Sequence, residues 1–179
     1  MKPRTNEVVF SLLHVLSWIF FIGLCIEAGV LIFNFLFTFF NPIASHNIYK
    51  GLDLSNIYEN QFPHYIGLMG FVVVLAVLKA YIFYLVVQIC LKLNLVKPFD
   101  CKIAKLIEKL SFEAMAIAVL SFIAHLYTEH FIPDGFEVSD VENYWDDGAA
   151  FLMMAAILLV ISHVFRRGIA LQNENDLTV

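Results

Sequence analysis

The chain has 179 residues, of which 60% are hydrophobic, 15% charged and 18 are Phe, with a net charge of −5 and a mean hydropathy of +0.78. A water-soluble domain is about 45–50% apolar and about a quarter charged, so this chain holds more apolar surface than one aqueous exterior hides. The composition excludes an ordinary soluble globular domain and predicts an all-α polytopic membrane protein, because no polar segment is long enough to bury a core of its own.

Roughly 20 consecutive apolar residues carry a helix across the hydrocarbon core, and four segments meet that length. They fall at about 10–38, 65–91, 106–132 and 149–165, within one transmembrane domain covering residues 1–179. The opening MKPRTNEVVFSLLHVLSW places positive charge before an apolar run that is too long for a signal core, so a retained first span is expected. Within that span sits Glu27. At about 100° per residue, Asn34 and Thr38 fall on the same face, so a polar stripe is expected to look toward other helices.

The connection Asn41–His64 carries Pro42 as a helix stop and Pro63 before the second span, and it is long for a plain link. It is expected to pack with the third loop as an outer cap. Lys79 lies near the middle of span two. A charged group at that depth faces the protein interior and pairs, so Glu27 is expected to meet Lys79 in a pair that fixes helix register. A proton or ion relay is the alternative role.

The inner connection reads KLNLVKPFDCKIAKLIEKL, with Asp100 placed to cap the third helix. Glu113 stands one turn after Lys109, the spacing at which the two interact. Toward the outer end of span three come His125, Glu129 and His130, with His64 at the head of span two. These form a candidate outer cation or ligand site. No metal is assigned to it, since positions five apart lie about 140° round a helix and cannot share one ion.

The third loop holds seven acidic residues from Glu129 to Asp147 and no Lys or Arg. Lys2, Arg4, the inner-loop lysines, Arg166 and Arg167 lie on the opposite side. Basic segments stay in the cytoplasm, so both termini are expected inside and two structured loops outside. Four antiparallel spans would then close-pack, with Ala114, Ala116, Ala118, Ala155 and Ala156 at the contacts. Three cysteines imply no disulfide framework, and no nucleotide, cofactor, hydrolase or nucleic-acid motif is present, so neither catalysis nor direct nucleic-acid binding is expected.

The KPF of the inner loop (Lys97, Pro98, Phe99) and the ending VFRRGIALQNENDLTV together resemble the bacterial domain-of-unknown-function 2975 membrane proteins. The resemblance covers most of the chain. It implies a small multi-pass protein of the bacterial inner membrane with no established activity and no cofactor. It also implies a neighbour, since members of that family are often encoded beside a small helix-turn-helix regulator. The expected role is then a membrane sensor or regulatory partner, itself a candidate homo-oligomer. Lys97, Pro98, Phe99, Arg166, Arg167 and Asp176 would form its cytoplasmic partner surface. The alternative is a small transporter or channel component using Glu27, Asn34, Lys79 and Glu113.

Overall fold

The computed structural model describes residues 3–93, 99–133, 136 and 138–176, with side chains from residue 8 to residue 174 of that set. Helix α1 runs Pro3–Thr38, and a 3₁₀ turn follows at Pro42–His46. Helices α2 (Ser55–Asn60) and α3 (Phe62–Lys92) come next. After the second connection stand α4 (Cys101–Phe131), α5 (Ser139–Glu142) and α6 (Gly148–Asp176). No strand occurs among the described residues.

Local chemistry sets these limits. The Asp100 carboxylate accepts the Lys102 backbone N–H at 2.7 Å and starts α4, as its position before an apolar run requires. Pro63 sits in the first turn of α3, where its missing N–H costs nothing. Four helices, α1, α3, α4 and α6, are long and apolar enough to cross a membrane. At 1.5 Å per residue the 31 residues of α3 measure about 46 Å, well beyond a hydrocarbon core of about 30 Å.

The surplus is covered by the first loop, which folds back as a cap. Ile48, Leu52, Leu54 and Ile57 are buried in the same cluster as Tyr65 and Leu68 of α3. The Thr38 hydroxyl lies 2.8 Å from the Tyr65 hydroxyl, and the Tyr58 hydroxyl donates to the Thr38 carbonyl at 3.1 Å. The tip of the cap is a tight turn in which Leu52 N–H donates to the Tyr49 carbonyl at 3.0 Å. Both central residues have positive φ, Lys50 at 50° and Gly51 at 86°, the pattern of a type I′ turn.

The long helices pack in the order α1, α3, α4, α6, each against its neighbour in that series. This is an open row and not the evenly close-packed bundle expected from the sequence. The outer members bury little: 6% and 11% of the apolar windows of α1 and α6 are buried, against 33% and 39% for α3 and α4. Lipid tails are as apolar as leucine, so nothing drives α1 to seek a second helix partner.

The α4–α6 seam is closed by small residues and hydroxyls. Ser111 donates to the Ala155 carbonyl at 2.8 Å and Ser162 to the Ala104 carbonyl at 3.3 Å. Ala114, Ala118 and Ala155 are buried. Ala116 and Ala156 are not, because two and one residues further on, about 200° and 100° round the helix, they leave the seam. Helix α6 also continues well past Phe165, where the apolar run stops.

A charged cavity beneath the first and third loops

Lys79, in the body of α3, is met by the third loop. Its ammonium donates to the Asp147 carboxylate at 2.7 Å and to the Tyr144 carbonyl at 2.9 Å, and stands 5.6 Å from the Phe151 ring centre. Glu27 is met by the first loop: Lys50, at the tip of the type I′ turn, lies 3.7 Å away. The expected direct pair of Glu27 with Lys79 therefore does not form. Helix-face arithmetic compares helices with helices, whereas both residues are answered by loops that fold back between them.

The two ion pairs face one cavity of about 510 Å³. Its charged lining is Glu27, Asp140 and Asp147 against Lys50 and Lys79, which leaves one negative charge in excess. Lys50 is 67% exposed at the rim and Lys79 only 19% exposed at the floor, so the cavity deepens from solvent toward α3. Tyr49 and Tyr144 add rings to the wall. Burial, reinforced by the Glu27 charge and then by Tyr49, pushes the Tyr144 phenol up to about 12. Beside the cavity, Asp53 accepts from Ser55 through both hydroxyl (2.6 Å) and backbone N–H (2.9 Å), which holds its carboxyl below the ordinary range, aided by His46. Such a mixed lining suits a small solute carrying both charges, and its volume falls within the range of about 300–1,000 Å³ typical of ligand sites.

The rest of the expected stripe is divided between the cap and the neighbouring helix α3. Asn34 donates to the Ile48 carbonyl, and Thr38 meets Tyr65. Lys109 donates to the Tyr81 hydroxyl and lies 5.0 Å from that ring's centre. Glu113 is half-buried and forms no direct ion pair among the described residues.

The histidines expected at the outer site are dispersed. His64 Nδ1 is 2.9 Å from the Tyr127 hydroxyl, and His130 Nδ1 lies 3.2 Å from the Leu126 carbonyl and 3.9 Å from Glu129. His125 faces a different cavity, between α4 and α6. Among the described residues no three His, Cys, Asp or Glu side chains gather as a metal would require.

Where the start of α4 meets the later part of α6, two of the six expected partner-surface residues are already engaged. The Phe99 ring packs on Phe165 at 5.4 Å, and a Cβ placed on Gly168 would lie 2.6 Å from it. Arg166 donates to Glu108. Arg167 is exposed. Lys97 and Pro98 lie outside the described residues, and Asp176 closes α6 with its side chain outside the described set.

Sequence reasoning missed Lys50, Asp140, Tyr144 and Asp147 as members of the site. One signal pointed to them: a mid-span lysine in a chain whose third loop is acidic up to the first residue of α6.

The architecture is that of a multi-pass helical membrane protein with a charged cavity cut into one end. The sequence model of the family described as "Protein of unknown function (DUF2975)" matches residues 46–179, and the chain belongs to that family. The match begins after α1, so Glu27 precedes it and the remaining charged lining lies within it. Neither a curated protein nor a solved structure matches the chain significantly.

Proposed function

We propose that the protein is a ligand-sensing partner in the bacterial inner membrane, with antiparallel spans, both termini cytoplasmic and the charged cavity open to the outside. The distribution of basic residues supports that orientation. One observation carries the reading: Lys79 at the cavity floor is bonded to Tyr144 and Asp147, the segment that leads directly into α6.

A small zwitterion entering the cavity competes for both halves of that pair. Its carboxylate takes Lys79 and its ammonium takes Asp147 or Glu27. The head of α6 is then released from α3, and α6 runs the length of α4 to the Phe99–Gly168 contact and the basic tail. Displacement of one packed helix along another is a recognised way to carry such a signal. It requires the ligand to bind the two arrangements with different affinity. The output is a cytoplasmic protein, for which a small transcription regulator is the partner proposed.

The test uses the full chain in proteoliposomes with glycine and γ-aminobutyrate as probes. A zwitterion should raise thermal stability in the wild type, and Lys79→Met should abolish the effect, with no net uptake of the probe in either. Uptake that depends on Lys79 and Glu27 would replace sensing by transport. No response to any zwitterion would remove the ligand-site reading.

A further inference from the structure

A second cavity, of about 730 Å³, lies on the other side of the third loop, between α4 and α6. It shares only Asn143 with the charged cavity. Its lower wall is Val119, Phe122 and Leu152, large apolar side chains that are exposed on two membrane-spanning helices. Its upper wall carries Glu142 and Asp146, and no Lys or Arg lines it.

Two polar side chains of this cavity are without partners. The Trp145 indole N–H and the Ser121 hydroxyl are buried and make no hydrogen bond among the described residues. The two residues are 3% and 2% exposed, and both belong to the cavity wall. A buried donor left unpaired is destabilising, and such groups in native proteins call for an explanation. Here they are two unanswered donors beside two carboxylates, in one cavity with an apolar wall of exposed helix side chains.

We infer that this cavity holds the headgroup of a membrane phospholipid bearing a primary amine. The ammonium is placed on Glu142 and Asp146, where charge-assisted N–H bonds form. The phosphate and ester oxygens supply the acceptors that Trp145 and Ser121 lack. One acyl chain lies along Val119, Phe122 and Leu152. Both donors are closed to solvent, so the headgroup reaches them as the four-residue α5 segment yields; that segment is held by one buried side chain, Val141. An anionic headgroup with no amine finds the same donors for its phosphate but brings no cation to Glu142 and Asp146. A quaternary amine has no N–H to donate.

The chain has two tryptophans, so Trp18→Phe leaves Trp145 as the sole emitter. The full chain is reconstituted in phosphatidylglycerol nanodiscs with increasing phosphatidylethanolamine, phosphatidylcholine or phosphatidylglycerol carrying brominated acyl chains, which quench nearby indole. The ethanolamine lipid should reach half-maximal quenching at a mole fraction about threefold lower than the other two, the advantage of a charge-assisted donor. The double variant Glu142→Gln, Asp146→Asn should erase that preference while leaving quenching at high lipid fraction intact. Equal quenching by all three lipids, a choline lipid matching the ethanolamine lipid, or a preference that survives in the double variant would each overturn the assignment.

Discussion

At the scale of single residues, Lys79 is the side chain on which the site depends. Lys79→Met strands Asp147 and leaves the Tyr144 carbonyl without its donor. A loss of about 1–3 kcal/mol is expected, as for a hydrogen bond to a charged group, read as a fall in thermal stability in detergent. Asp147→Lys combined with Lys79→Asp should recover part of it, and Glu27→Lys combined with Lys79→Glu should not. The Glu27–Lys50 pair is more exposed and is expected to contribute at most about 1 kcal/mol. Lys50 itself occupies a left-handed backbone conformation, so Lys50→Gly should leave stability unchanged or raise it while Lys50→Val lowers it by about 1 kcal/mol or more. Tyr144 adds a pH signature. Its folded pKa of about 12 stands above the ordinary 10.0, so the folded state holds the phenolic proton more tightly. Its contribution is whole below pH 10.0 and is lost as pH rises toward 12, a window that Tyr144→Phe should flatten in alkaline melting curves. The need of Glu27 and Lys79 for partners is legible in the sequence, because charge in an apolar run must be answered. The identity of the partners is not, because Lys50 and Asp147 reach the site through the path of two loops, which no helical period encodes.

At the scale of elements, close backbone approach decides the fit of α6 on α4. A Cβ on Gly148 would lie 2.7 Å from the Ser121 Cβ, an atom fixed to the α4 backbone. Gly148→Ala is therefore expected to cost about 1–3 kcal/mol by overpacking. Ser121→Gly should rescue it and Ser121→Ala should not, since alanine keeps the offending atom; thermal melts of the double variants decide this. The Phe99 contact with Gly168 gives a milder form of the same constraint at the other end, because a ring on a loop moves more readily than a helix. The four apolar runs are plain in the sequence for the reason that lipid exposure demands them. The end of α6 is less so: hydropathy marks where the apolar run stops, while Arg166, Arg167, Ala170, Leu171, Gln172 and Glu174 favour helix in water and the backbone continues to Asp176. The cap was legible in outline from Pro42, Pro63 and the length of the loop, but its downward fold along Glu27, Asn34 and Thr38 was not.

At the scale of the whole molecule, orientation is the first prediction to test. In the proposed topology, with the start of α1 and the end of α6 inside, a membrane-impermeant maleimide on intact cells should leave Cys101 unlabelled and label a cysteine placed at Ser55 or Ser139. The reverse pattern would invert the topology and, with it, the source of any ligand. The open row of helices has a related meaning: α1 touches little but α3 and the cap, so the charged cavity owes one wall to a helix that lipid could surround on its remaining sides.

The depth of that cavity also has an electrical consequence. In the proposed orientation, water and mobile ions entering from the outer face to Lys79 carry the outside potential inward with them. The membrane voltage then falls across the remaining thickness below the cavity floor, and the field there is steeper than across an intact bilayer. A full elementary charge moved through the whole potential gains or loses about 2.3 kcal/mol per 100 mV, and nearly all of that drop then lies beyond the floor, between Lys79 and the opposite face. A charge passing on from Lys79 to the opposite face would feel almost the whole membrane potential, whereas a solute that binds at Lys79 and Asp147 and leaves again by the same mouth would feel little of it.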